Sequence, residues 1–118
     1  MDRIIKKELS YTSLTIRITH IGEDFHILLS GGDKPHVGCT VLAVPRPSLK
    51  KDGKISTTSS VLNVTGHKDE ALCRLLAERV ASKTNAVAVC TGGFHTDAIT
   101  DIQIAEAIEA VKTIDLKI

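Results

Sequence analysis

Leu14, Ile16 and Ile18 alternate with Thr15, Arg17 and Thr19, the two-residue period of a strand with one buried and one wetted face. This pattern restricts the fold most, because a strand needs a neighbour for its backbone groups and a cover for its apolar side. More strand-like runs follow. "FHILLS" (25–30) comes after a turn at Gly22, and "VGCTVLAV" (37–44) is nearly continuous in apolar residues. "ISTTSSVLNV" (55–64) opens with small hydroxyls, and "AVAVC" (86–90) is bounded by Asn85 and by Gly92-Gly93. Only two segments carry helical spacing. From His67 to Lys83, Leu72, Leu75, Leu76 and Val80 recur on one face, and "TDIQ" writes a capping box between Thr100 and Gln103. In that second helix Ile104, Ala105, Ile108 and Val111 form the expected buried stripe. The order β-β-β-β-α-β-α predicts an α+β fold of two layers, a mixed sheet with both helices on one face. At 118 residues it is read as a single domain, 1–118.

Composition excludes several classes of function. No apolar run approaches the roughly 18 residues needed to span a bilayer, and the first residues show neither a secretory nor a lipidation pattern, so a cytoplasmic location is expected. A net charge of +1 with 3% aromatic residues provides no basic, aromatic-lined surface for nucleic acid. Cys39, Cys73 and Cys90 form no C-x-x-C pair and read as buried, reduced thiols. The segment "PRPSLKKDGK" (45–54) holds two of the three prolines and reads as an exposed basic loop that ends the third strand.

Glycine and histidine make the functional pattern. "SGGDKPH", "TGHKDE" and "TGGFHTD" each follow a strand, and in each a glycine is closely followed by a histidine. If those strands run the same way, His36, His67 and His95 share one sheet edge, where glycine N–H groups can approach an anion. Plainer readings stand beside this one. Gly31-Gly32 suits a turn, Gly66 an N-cap with Asp69 and Glu70 at the positive end of the helix dipole. Phe94 offers a stacking face, while His95 and Asp97 can orient one another. His20 and His26 read as ordinary sheet histidines. Three classes therefore stay open: a binding module, a small enzyme using His36 or His95 as acid or base, and a three-histidine metal module. The last has no H-x-x-x-H spacing behind it, and Ser30 and Cys90 sit in no nucleophile motif.

At "GGDKPHVG", "AVPRPSL", "SVLNVTGHKDE" and "GGFHTD", in this order and spacing, the chain resembles the prenylated-flavin chaperone-like proteins. That family is related to the small D subunit accompanying gallate-type and other UbiD-type non-oxidative decarboxylases. The resemblance implies an accessory subunit, not itself the catalyst, that binds prenylated FMN and stabilises or delivers it to the decarboxylase large subunit. It implies a binding set of Gly31, Gly32, Asp33, Lys34 and His36, then Arg46 and Ser48, Gly66 and His67, and Gly93, His95 and Asp97. Phe94 stands where the family pattern has an aliphatic residue. Glycine N–H groups with Lys34 or Arg46 would suit a phosphate, and Thr57, Ser59 or the histidines a ring edge. A homo-oligomer, with a second subunit over the site, would help to cover an oxygen-sensitive reduced flavin.

Overall fold

A computed structural model describes residues 2–64 and 67–118, the side chains of His67 and Lys68 excepted. Gly66 and the His67 side chain, both expected in the site, lie outside the described residues. The elements are β1 (Arg3–Glu8), β2 (Ser13–Ile21), β3 (Asp24–Gly32), β4 (Cys39–Pro47), β5 (Ile55–Asn63), α1 (His67–Thr84), β6 (Ala88–His95) and α2 (Asp101–Thr113). They form one six-stranded sheet in the order β1-β2-β3-β6-β4-β5. β3 and β6 are parallel, and the other neighbours are antiparallel.

The expected α+β architecture is present, a mixed sheet with its helix layer on one face. Leu14, Ile16 and Ile18 of β2 point to the same side as Ile27 and Leu29 of β3, Val41 of β4 and Cys90 of β6. Leu72, Leu76 and Val80 of α1 close over them, and all ten of these side chains are almost fully buried. At roughly 1.5–3 kcal/mol for each large aliphatic, this layer supplies the main driving force for folding. α1 lies across β4, β6 and β5, and α2 packs beside α1. Arg79 of α1 donates to the carbonyls of Val111 (2.7 Å) and Ile114 (2.9 Å), tying the two helices at the end of α2.

Local sequence explains the boundaries. Asn85 follows α1 with φ of 54°, the left-handed conformation that asparagine tolerates well at a helix end. Thr100 and Gln103 form both bonds of the expected capping box. The cysteines, distant in sequence, meet in the core, where Cys73 contacts both Cys39 and Cys90. The contact with Cys90, and then burial, push the Cys73 thiol far up, and burial does so for Cys39. These are inert packing thiols.

Three details differ from the sequence reading. A first strand, β1, precedes the expected four; its residues are mostly exposed, and such a charged edge strand hides the apolar alternation. β4 does not stop before the prolines but pairs with β5 as far as Pro47↔Ile55. Its pairing with β6 ends at Ala43, so Pro45 and Pro47 sit where the strand has an unpaired side and a missing N–H is tolerated. In α2 the inward stripe is Ile104, Ala107, Ile108 and Val111, and Ala105 is exposed.

Candidate functional site

β5 is antiparallel to β4, and β4 to β6, so β3, β5 and β6 all run in one direction. Their carboxyl ends share one end of the sheet, as the glycine–histidine pattern requires. Because β6 lies between β3 and β4, the chain leaving β3 must cross the end of β6 to begin β4. Asp33 N–H donates to the His95 carbonyl (2.6 Å) and Gly38 N–H to the Gly92 carbonyl (2.8 Å), fixing that crossing at both ends.

The crossing carries His36 onto Gly93. A Cβ at Gly93 would lie 2.7 Å from both His36 Nε2 and the His36 carbonyl oxygen, so glycine is needed there to let the connection pass. Gly38 similarly leaves room for the Asp69 carboxylate, which a Cβ would meet. At Gly32 the requirement is conformational, with φ of 78°. The glycines of "GGDKPHVG" and "GGFHTD" thus serve close packing of chain on chain.

Asp69 organises the cluster. It is 3% exposed, in the first turn of α1. Its Oδ1 accepts the Phe94 N–H (2.8 Å), and its Oδ2 accepts from His36 Nε2 (3.0 Å). β4 pairs with β6 only up to Gly92, and the carboxylate takes over as partner of the β6 edge beyond. The other His36 nitrogen, Nδ1, lies 3.0 Å from the Lys34 carbonyl. Both ring nitrogens therefore face acceptors within the protein.

The second pair is His95 and Asp97. His95 Nε2 lies 2.8 Å from Asp97 Oδ1, and the Asp97 N–H reaches Asp33 Oδ2 at 3.3 Å. The His95 hydrogen bond, followed by the charge of Lys34, holds the Asp97 carboxyl below its ordinary range. The two imidazoles stand edge to face with centroids 6.4 Å apart. Between His95 and Asp97 in sequence, Thr96 keeps a buried Oγ1 with no partner among the described residues. Val37 and Val64, both well exposed, flank this polar group, linked through the bond from Val64 N–H to the Gly38 carbonyl (2.7 Å).

The structure thus gathers Gly31, Gly32, Asp33, Lys34, His36, Gly93, His95 and Asp97 at one end of the sheet. It does not gather Arg46 and Ser48 with them. Seven residues of extended β4 separate Cys39 from Arg46, about 23 Å at the usual strand rise, too far for one mononucleotide to bridge. Arg46 and Ser48 instead line an open cleft of about 540 Å³ with Lys51, Lys54 and Asn85. A larger cleft of about 730 Å³, lined by Arg3, Ile18, His20, Phe25 and Lys117 among others, lies at that same far end. Phe94 offers no stacking face: β6 extends to His95, which turns Phe94 inward to 1% exposure, edge-on to Tyr11 at 6.3 Å. Ser59 spends its hydroxyl on Glu78 (2.7 Å).

Asp69 is the organising residue that the sequence reading left as a dipole partner. Its signal was present, since it shares the i, i+3, i+4, i+7 face of Leu72, Cys73 and Leu76 and a carboxylate in an apolar stripe needs buried partners. Chemically, the cluster offers the Lys34 ammonium and the second ring nitrogen of His95, with His36 locked in place beside them and an apolar rim. Such a set fits the polar edge or phosphate of a flavin nucleotide, with Lys34 and His95 as the residues that would hold it and the His36 ring as a wall. Among the described residues no group of three or more His, Cys, Asp or Glu is placed to hold a metal ion. No helix among them is long and apolar enough to cross a membrane.

Comparison with known proteins bears on what the cluster serves. The profile of the prenylated flavin chaperone LpdD-like domain matches residues 8–118. Protein LpdD of Lactiplantibacillus plantarum is 31% identical over 93 residues, covering 74% of this chain and 60% of that protein. The match therefore spans less than two thirds of the relative's length. A chain from the crystal structure of a chaperone complex for yeast 20S proteasome assembly has the same fold, with a TM-score of 0.51 and 13% identity over 94% of this chain and 90% of that one.

Proposed function

The chain belongs to the prenylated flavin chaperone LpdD-like family, and on that premise we propose that it binds prenylated FMN and hands it to a UbiD-type decarboxylase. The match of the family profile across nearly the whole chain carries this reading. The protein's part is to bind, orient and release; the decarboxylation belongs to the partner's large subunit.

Within that function we assign the ligand to the shared end of β3, β5 and β6. Lys34 and the second ring nitrogen of His95 face the phosphate or the ring edge, and the His36 ring, both of its nitrogens engaged, forms a wall beside them. Val37 and Val64 lend apolar surface to the ring system. Asp69 acts through His36, which it holds against Gly93 in a fixed orientation. Asp97 restrains His95, and Asp33 in turn holds the Asp97 backbone, so the His95 ring is in place before the ligand arrives and less ordering entropy is lost on binding.

The test is an anaerobic titration followed by native mass spectrometry, with FMN and prenylated FMN in parallel. One prenylated flavin per chain, bound in preference to plain FMN, is the expected result. Adding a flavin-free UbiD-type decarboxylase should then move the flavin mass to the enzyme. No binding of either flavin, or binding with no transfer, overturns the corresponding half of the proposal.

A further inference from the structure

The helices cover only one side of the sheet, and we propose that the other side is where two copies of this chain pair. At the centre of that uncovered face, Leu28, Thr91, Thr40 and Leu62 form one row across β3, β6, β4 and β5. Val89 and Leu42 form the next. Leu62 is 76% exposed and Leu42 41% exposed, a continuous aliphatic and hydroxyl surface with no charge in its middle. A sheet face can be solvated, but a contiguous aliphatic patch on one marks an interaction surface.

Size and charge both select a second copy as the occupant. Six strands at about 4.8 Å spacing, six to nine residues each, make a whole face, margins included, of roughly 800 Å², and a stable pair buries about 800 Å² on each partner. The ionic groups at the β1–β2 margin neutralise one another, Arg17 with Asp2 at 3.4 Å and Lys6 with Glu8 at 3.7 Å. Two further polar side chains are hydrogen-bonded on the face, His26 to Thr91 at 3.2 Å near the centre and Arg46 to Thr58 at 2.9 Å towards the β4–β5 tip. The centre of the face carries no charge that would select an oppositely charged partner, Arg46 lying towards the β4–β5 tip, and these pairings lower the desolvation cost of covering it. Its own copy, related by a twofold axis, meets both conditions. The histidine cluster of each chain lies at the end of the sheet, beyond this central patch, so pairing yields two sites per dimer.

Light scattering on the full, flavin-free chain at tens of micromolar tests this. The expected mass is twice the 12.7 kDa of one chain. Leu42→Glu should weaken pairing by at least about 30-fold with an unchanged far-UV circular dichroism spectrum, since Leu42 is already part-exposed. Leu49→Glu, at the 84% exposed tip between β4 and β5, should leave the dimer intact. A wild-type chain that stays monomeric overturns the proposal and leaves the face to a different protein. A dimer indifferent to both Leu42→Glu and Val89→Glu overturns it as well. Flavin is absent throughout, so neither result depends on the flavin reading.

Discussion

At the β3–β6 end of the sheet, His36 bonds a carboxylate 33 residues along the chain, and Asp97 reaches Asp33 across 64 residues. At the β4–β5 tip, Ser48 and Asp52 each bond a backbone N–H two residues on, and Arg46 bonds the carbonyl of its own neighbour, Pro47. Both regions are polar, and the tip carries more positive charge. Apart from Arg46 to Thr58 on the neighbouring strand, the tip's side-chain bonds are local, whereas the first region binds distant parts of the chain together, so there the fold itself sets the positions of the polar groups. Local turn bonds leave lysines solvated and mobile in their rotamers, which is why a basic loop by itself is a weak indication of a site.

Substitutions can break this contrast. The largest effect is expected at Asp69→Ala, which leaves the Phe94 N–H and His36 without their partner. A loss of about 3 kcal/mol is expected, read as a lower urea midpoint with unchanged m-value. Gly93→Ala forces His36 and its backbone off β6 and should cost about 2 kcal/mol; if it costs nothing, the crossing is looser than the distances indicate. Ser48→Ala and Lys54→Ala at the tip should each change stability by less than about 0.5 kcal/mol.

Acid sharpens the same comparison with the smallest effect. The Asp97 carboxyl is held below its ordinary value, so its folded form binds a proton less readily than its unfolded form. Its contribution is present above about pH 4, the ordinary aspartate value, and is lost as the pH falls through the lowered one. Asp97→Asn should therefore be slightly less stable than wild type near neutrality and converge with it in acid, as followed by urea midpoints across pH. Parallel curves at every pH would remove the ionised Asp97–His95 pair from the account.

The sequence made the strands, the helices and the shared edge of the histidine loops legible, because each rests on a short-range period or on a cap such as Thr100–Gln103. β1 escaped because Arg3, Lys6, Lys7 and Glu8 obscure its alternation at an edge that needs them for solubility. Phe94 was misread because β6 runs past its two glycines, keeping the alternation and turning the ring into the core. Asp69 was hidden for a different reason: the partners that define it, His36 and Phe94, come from chain segments 33 and 25 residues away. Nor could any local pattern separate Arg46 and Ser48 from the histidines, since that separation is set by the antiparallel course of β4.

Affinity for prenylated FMN in the double variant His36→Ala/His95→Ala, set against Arg46→Ala, tests the assignment of the site most directly. The account predicts that the first loses at least about 10-fold in affinity, the His95 partner and the His36 wall having been removed, while the second binds as wild type does. Binding that survives the double variant but fails on Arg46→Ala, or on Arg3→Ala in the far cleft, would contradict it and move the flavin to the other end of the sheet.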